Sequence, residues 1–491
     1  MELREVLEGA HAEIAGDPAT EIAGLALDNR KVAPGALFFC VPGATADGHD
    51  FAPAALDAGA SAIVVERRLG LKGAEALVPD ARAAMAPAAV RFFGDPTQEL
   101  RVAGITGTNG KTTTAFLLRH ILERTGTQTG LLGTVKSVIG GVEADVERTT
   151  PEAIDLQATF RAMLEARDSA CAMEVSSHAL TQGRAQGITF SVGVFTNLTQ
   201  DHLDFHAGME DYFAAKRLLF VGPERPPIAV VNIDDPYGAR LAEEIEGDYS
   251  EGLVTFSGSG APAALRAMDV EFDATGSRFR VKGPWGEAQV AMPLPGDFNV
   301  SNALAALGAA AALGADPQEA ARALSDADRV PGRLEPIDAG QPFAVLVDYA
   351  HTPDSLDNVL RAARRLTPGP GRLIVVFGCG GDRDRDKRPI MGAIAARLAD
   401  VGVVTSDNPR SEEPISIVDQ IRAGMERDDV VVEVDRHAAI RLAFGLAGAG
   451  DTVVIAGKGH EQGQEFEGGR KIPFDDREVA RAELAQMGKS R

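Results

Sequence analysis

The sequence predicts an α/β protein of three domains, with a central parallel-sheet domain built around a phosphate loop and a C-terminal, doubly wound Rossmann-like domain. Three observations carry this reading. A chain of 491 residues exceeds what one hydrophobic core ordinarily fills. Apolar strand-like runs alternate with amphipathic helical stretches. After Arg101 a strand runs into a Gly-rich turn and then a helix, the order of a phosphate site. With 45% hydrophobic and 24% charged residues the chain has the balance of a globular protein, not a disordered one.

From Ile22 to about Pro96, short runs such as Ala36 to Val41 and Ala62 to Val65 alternate with Gly, Pro and Asp, which predicts a small α/β unit over residues 1–98. The central domain, 99–331, opens with a strand at Val102 to Ile105 and a helix at Thr112 to Arg124. Further strands are expected at Ala170 to Val175, Val192 to Thr196 and Ile228 to Ile233, in a mostly parallel sheet covered on both faces. The run Ala303 to Ala315 is shorter than the roughly 20 residues that cross a bilayer and reads as a buried helix. Pro331, Gly332 and Arg333 form a turn-like junction. Beyond it, over 332–491, strands are expected at Phe343 to Val347, Leu373 to Phe377, Val401 to Thr405, Val430 to Val434 and Val453 to Ala456, with helices at Ser355 to Leu366 and Ile415 to Arg427.

A formal net charge of −22 argues against a nucleic-acid binder, which needs concentrated Lys and Arg, and leaves room for a local basic pocket for a small anion. The three cysteines, Cys40, Cys171 and Cys379, are far apart and read as reduced thiols. Met1 to Glu5 lacks the basic start and apolar stretch of a secretory signal, so a cytoplasmic protein without membrane association is expected, and a monomer.

The strongest motif is Gly104-Ile-Thr-Gly107-Thr108-Asn109-Gly110-Lys111-Thr112-Thr113. Glycines let backbone amides face an anion, and the helix N-terminus adds its aligned dipoles. Lys111 is placed to meet the β/γ-phosphates and Thr112 to hold Mg²⁺, so ATP is the expected ligand. The strict pattern puts glycine where Ile105 stands, so the loop is a variant. Glu174 ends an apolar strand ahead of Val175, Ser176, Ser177 and His178, at the carboxyl end where parallel sheets collect ligands. Asn197 to Asp204, including Asp201 and His202, follow the next strand in the same way.

Together with Asp348-Tyr-Ala-His351-Thr-Pro353, these motifs resemble the Mur ligases over nearly the whole chain. The resemblance implies domains for a UDP-muramoyl substrate, for ATP and for an incoming amino acid. It also implies a reaction in which a substrate carboxylate becomes an acyl phosphate that an amine attacks. It implies catalytic roles for Lys111, Glu174, His202 and Lys216, the last as a carbamate. Thr112, Glu174, His202 and the Lys216 carbamate would hold Mg²⁺. Read alone, Lys216 in Tyr212-Phe-Ala-Ala-Lys216 is an exposed helical lysine. By resemblance Gly107 to Thr113, Asn302, Arg333, Asp348 and His351 surround the nucleotide, although Asn302 alone reads as a helix cap and Arg333 as a linker charge. Leu27, Asn29, Thr149, Thr150, Ser176, Gln182 and Arg184 fall where relatives hold the UDP-muramoyl dipeptide, as do Gly43 to Gly48.

Asp407, Asn408, Pro409 and Arg410 follow a predicted strand and resemble the tetrad of the members that add meso-diaminopimelate. A planar guanidinium suits that substrate's distal carboxylate, which lysine lacks. Arg383 and the stretch Gly457, Lys458, Gly459, His460, Glu461 match further amino-acid contacts, with Glu461 placed for the distal ammonium. Asn29, Arg148, Arg385 and Asp386 depart from the family pattern and leave lysine or ornithine open as the added residue. A folylpolyglutamate-synthase-like ligase and a non-catalytic nucleotide-dependent regulator are the rival readings.

Overall fold

The structure is a computed structural model that describes residues 1–43, 46–426 and 430–489. Ala44 and Thr45 of the 43–48 stretch, and Arg427 at the end of an expected helix, lie outside the described residues. The chain divides into two compact units, Met1–Thr106 with Gly126–Gly193 and Ala215–Ile228, and Gly107–Thr125 with Val194–Ala214 and Ala229–Arg491.

In the first unit the N-terminal strands form a five-stranded sheet in the order Glu13–Ala15, Ala74–Leu77, Ala62–Val65, Ala36–Phe39, Gly24–Ala26. The first pair is antiparallel and the rest are parallel. Both faces of the central strands are covered, so all residues of Ala36–Phe39 and Ala62–Val65 are buried and the segments read as continuous apolar runs. The helix Ala81–Phe93 starts where Asp80 accepts a bond from Ala83 N and stops at Gly94, in the left-handed conformation. In the same unit Ala170–Glu174 lies between Arg101–Thr106 and Thr129–Leu132, parallel to both. The expected strands at 102–105 and 170–175 are therefore present within a residue.

In the second unit Ile228–Asn232 runs parallel to Leu253–Ser257, which pairs with Leu265–Asp273. Gly276–Gly283 and Gly286–Met292 extend the sheet antiparallel. These last strands alternate buried and exposed residues, with Arg278, Arg280 and Lys282 facing out. A sheet with one solvated face leaves no apolar run, which is why the sequence reading of a mostly parallel sheet did not include them. The buried helix spans Asp297–Ala312, so Asn302 sits inside it at 6% exposure and is not its cap.

A six-stranded sheet follows in the order Glu335–Pro336, Ala344–Asp348, Thr452–Ala456, Leu373–Phe377, Val401–Val404, Val431–Val432, parallel except at the first edge. The helix Pro353–Leu366 begins in a reciprocal cap, with Ser355 N donating to Thr352 Oγ1 (3.2 Å) and Thr352 N to Ser355 Oγ (3.0 Å). The expected helix at 415–427 spans Pro414–Arg422 and ends early. Gly424 follows, where a Cβ would lie 1.8 Å from Pro389 O. The parallel strands all deliver their following loops to one edge of the sheet, and that edge positions the site.

Candidate active site

The phosphate loop depends on two glycines. A Cβ on Gly107 (φ 150°) would lie 1.9 Å from Thr196 Oγ1, and one on Gly110 (φ 87°) 2.3 Å from Asn302 Oδ1. The loop is pinned by the segment after Phe190–Phe195. Asn109 N donates to Asn197 Oδ1 (2.9 Å), Thr108 N to Asn197 O (2.9 Å), and Thr196 Oγ1 to Asn109 O (2.6 Å). Lys111 Nζ donates to Gly107 O and Thr108 O, both at 2.8 Å, so the ammonium is held within the curve of the loop.

Arg333 Nη2 donates to Thr112 Oγ1 (3.2 Å), and its guanidinium lies 4.6 Å from the centre of the Tyr349 ring. Its Nε is buried without a hydrogen-bond partner. A cavity of about 970 Å³ runs past Asn109, Gly110, Thr113, Asn302, Arg333 and Asp348. A glycine cradle that any Cβ would fill, a lysine inside it and an orphaned guanidinium N–H beside it fit the phosphates of a nucleotide. Asp348 accepts from Leu334 N (2.6 Å), and burial pushes its carboxyl up to about 6 against the pull of Arg333. Burial also lowers the His351 imidazole, whose Nδ1 donates to Tyr349 O (2.7 Å).

Asp201, to which the sequence reading gave no role of its own, is a hub. His202 lies at 3.3 Å, His351 at 3.8 Å and Lys387 at 3.9 Å. Burial alone would raise its carboxyl, but the charges of His202, His351 and Lys387 outweigh burial and hold it below the usual range.

In the first unit Glu174 is fully buried and accepts from Thr134 N (2.8 Å) and Thr134 Oγ1 (3.0 Å). Lys216, on the helix Met209–Arg217, is 1% exposed, not the exposed helical lysine that the sequence alone suggests. Thr150 Oγ1 donates to Glu174 O (3.0 Å) and accepts from Ser176 N (3.1 Å), while Thr149 meets the Thr134 hydroxyl (3.0 Å). Ser176 caps the helix Ser177–Thr181, and the buried Gln182 Oε1 has no partner. Arg184 joins Arg82 and Arg148 around Glu152, at 3.1, 2.9 and 2.7 Å. Burial lowers the Arg184 guanidinium. Leu27 follows the strand Gly24–Ala26 and Asn29 opens the turn Asn29–Lys31, where the hydrogen bond from Arg30 holds Asp28 down at about 2.

Mg²⁺ takes hard oxygen ligands and commonly completes its shell with substrate phosphates and water. Thr112 and Glu174 each carry an oxygen of this kind, as a carbamate on Lys216 would. Among the described residues no cluster of three or more His, Cys, Asp and Glu forms a ready-made cage.

At the edge of the six-stranded sheet the amino-acid candidates converge. Arg410 Nε donates to Glu465 Oε2 (2.9 Å) and Nη1 to Gly381 O (2.7 Å). Asn408 Nδ2 donates to Glu461 Oε2 (2.9 Å), and Lys458 Nζ donates to both Asn408 Oδ1 and Glu461 Oε2 at 2.8 Å. Asp407 is buried against Gly457, whose Cβ would lie 2.6 Å from Asp407 Oδ2. Burial would raise Asp407, but Lys458, Arg436 and His351 hold it low. Pro409 completes the loop, its carbonyl 1.9 Å from where a Cβ on Gly381 would stand. Arg383 lies more exposed, 3.7 Å from Asp204.

Three family models match the chain: the Mur ligase family catalytic domain over residues 21–92, the Mur ligase middle domain over 105–310 and the Mur ligase glutamate ligase domain over 332–459. A relative from Streptomyces coelicolor, named UDP-N-acetylmuramoyl-L-alanyl-D-glutamate–2,6-diaminopimelate ligase, is 50% identical over 480 residues, covering 95% of this chain and 93% of its own. The chain belongs to the Mur ligase family. A relative of the same name from Geobacillus kaustophilus is 46% identical over 98% of both chains. A solved structure bearing that name superimposes with a TM-score of 0.69 at 32% identity, over 99% of both chains. Folylpolyglutamate synthase from Mycobacterium tuberculosis gives a TM-score of 0.60 at 18% identity, which shares the fold alone.

As a Mur ligase the chain is an ATP- and Mg²⁺-dependent amino-acid ligase, not a nucleotide-dependent regulator. No described helix is long and apolar enough to cross a membrane. Sequence reasoning gave no role to Asp201, the hub of the second unit, or to Glu152 beneath its arginines in the first, and reached Lys458 only as one member of the stretch Gly457 to Glu461. The burial of Lys458 was not signalled by its place between Gly457 and Gly459 after an apolar strand.

Proposed function

We propose that this Mur ligase joins meso-2,6-diaminopimelate to UDP-N-acetylmuramoyl-L-alanyl-D-glutamate in peptidoglycan synthesis, through an acyl phosphate on the D-glutamate side chain. Residues 1–98 serve the UDP-muramoyl substrate, 99–331 the nucleotide and 332–491 the amino acid. In the cytoplasm the enzyme acts as a monomer on small molecules. The observation that carries the substrate assignment is Arg410: its guanidinium is pinned at Nε and on one Nη1 hydrogen, which leaves a two-pronged face for a distal carboxylate.

Lys111 and Arg333 present positive charge to the transferring phosphoryl group, where catalysis is chiefly electrostatic. Gly107 to Thr113 with Asn302, Asp348 and His351 frame the nucleotide. Thr112, Glu174, His202 and Lys216 as a carbamate would hold Mg²⁺, which would supply neutralisation of phosphate charge. Lys216 is buried, and as a carbamate its anionic oxygens would suit a hard cation. Thr149, Thr150, Ser176, Gln182 and Arg184, with Leu27 and Asn29, hold the UDP-muramoyl dipeptide. Asp407, Asn408, Pro409, Arg410, Arg383, Gly457 and Glu461 seat the incoming amino acid and its attacking amine.

The test is a competition among meso-diaminopimelate, L-lysine and L-ornithine with ATP and the UDP-muramoyl dipeptide, products read by mass. Diaminopimelate product is expected. A predominant lysine or ornithine product overturns the assignment, and ATP hydrolysis that ignores the sugar-peptide overturns the acyl-phosphate route.

A further inference from the structure

A guanidinium carries five N–H donors in a rigid fork. In Arg410 the Nε donor goes to Glu465 Oε2 at 2.9 Å and one Nη1 donor to Gly381 O at 2.7 Å. These acceptors pin the fork on both flanks and leave its Nη1–Nη2 end. The approach is close enough that a Cβ on Gly380 would come within 3.0 Å of Arg410 Nη1.

Glu465 also ties down the backbone beneath that fork. Arg410 N donates to Glu465 O (3.1 Å), and Glu465 N donates to Asn408 Oδ1 (3.0 Å), which fixes the Asn408 amide with its nitrogen toward Glu461. Arg410 has φ 51°, a conformation a long side chain adopts only when its surroundings impose it. Glu465 supplies part of that surrounding through both its main chain and its side chain. The Glu465 side chain is 42% exposed and that of Arg410 20%, so the pair lies at the surface of the site and not in the core.

We propose that Glu465 is a positioning residue for the amino-acid substrate: its carboxylate holds the Arg410 fork so that the free end meets the distal carboxylate of diaminopimelate. This rests on the reading of Arg410 given above. Glu465 acts through its hydrogen bond to Nε, not through its charge, because a second carboxylate beside an incoming carboxylate is by itself repulsive.

The experiment compares Glu465→Ala, Glu465→Gln, Glu465→Asp and Arg410→Ala in steady-state assays that vary diaminopimelate and ATP separately, with thermal unfolding of each variant. An exposed pair of this kind is worth about a fivefold change. Glu465→Ala raises KM for diaminopimelate about fivefold while kcat and KM for ATP stay put. Glu465→Gln, whose amide oxygen still accepts from Nε, stays within about twofold of the parent, and Glu465→Asp, too short to reach, behaves as Ala. An unchanged or lowered KM in Glu465→Ala, or a Gln variant as impaired as Ala, overturns the proposal. If Arg410→Ala itself leaves KM for diaminopimelate unchanged, the reading of Arg410 falls instead. A raised KM in Arg410→Ala beside a normal Glu465→Ala overturns the Glu465 role alone.

Discussion

Replacing Lys458 with Met removes a fully buried ammonium without emptying its space. Lys458 Nζ donates to Asn408 Oδ1 and Glu461 Oε2 at 2.8 Å, and Asn408 Nδ2 donates to that same Glu461 oxygen. Breaking a buried ion pair costs roughly 3–5 kcal/mol, and a hydrogen bond to a charged group is worth about 1.5–3 kcal/mol. Two features lower the expected cost. The Glu461 side chain is 31% exposed, so water replaces part of the loss, and Asn408 Oδ1 keeps the Glu465 N donor. About 2 kcal/mol remains as lost organisation of the site, roughly thirtyfold in kcat/KM for diaminopimelate. Phosphate release with diaminopimelate varied is the assay, and KM for ATP, unchanged, is the control. The pH profile gives a second reading. Burial raises Asp407, and Lys458 is the largest of the charges that hold it below its ordinary value. Without Lys458 the Asp407 carboxyl climbs, and the acid limb of kcat/KM moves toward neutral pH. A folded Lys458→Met enzyme with parental KM for diaminopimelate and an unmoved acid limb refutes the claim that this ammonium organises the site.

Lys111→Ala abolishes ligation while circular dichroism stays parental, because the Lys111 ammonium bonds carbonyls of its own loop, Gly107 O and Thr108 O; residual turnover near the parent's contradicts its role. Asp348 is raised from 3.8 to about 6, so between those pH values the folded chain binds a proton that the unfolded chain has released, and stability falls as pH rises through the window. Asp348→Asn removes that fall, about 3 kcal/mol at most, and denaturant unfolding at pH 4 and pH 7 detects it as a smaller difference between the two; an unchanged difference refutes it. Arg388 is 0% exposed and forks onto Glu412 with two bonds of 2.9 Å, which with a bond from Asp382 N hold Glu412 at about 2. That stability is present above 4.5 and lost as pH falls toward about 2. Glu412→Gln leaves a buried cation short of its counter-ion and costs about 3 kcal/mol at pH 7 in the same unfolding assay; a loss under half of that refutes the pairing.

The strands of the parallel sheets were legible because burial on both faces writes itself as an unbroken apolar run, as in Leu373–Phe377. The motifs at their carboxyl ends followed, since turn chemistry and strand position are local. What stayed hidden depends on partners distant in sequence. The run Asp382 to Arg388 looks like a solvated charge cluster, yet Lys387 and Arg388 are buried because Asp201 and Glu412 come to meet them. Nothing within a few residues of Lys458 announces that Asn408, 50 positions earlier, accepts its hydrogen bond. The outer strands of residues 265–292 were missed for the opposite reason: one wet face dilutes the apolar signal.

The acidic composition has a local use in this site beyond overall charge. His202, Leu334 and Asp382 all have φ near 50°, strained for residues with side chains. In each the backbone N–H is held by a carboxylate: His202 N by Asp201 at 2.9 Å, Leu334 N by Asp348 at 2.6 Å, Asp382 N by Glu412 at 2.7 Å. A left-handed backbone costs on the order of 1–3 kcal/mol, and a charge-assisted hydrogen bond returns about 1.5–3 kcal/mol, so the two nearly offset. Arg410, with φ 51°, is held instead by a backbone carbonyl, that of Glu465, and by that residue's side chain. The loops that carry the candidate site are thus bent by carboxylates that themselves face His202, Arg333 or Arg388. It follows that removing one of these carboxylates disturbs loop geometry before it disturbs charge, and an amide replacement that still accepts the N–H bond preserves more activity than alanine at the same position.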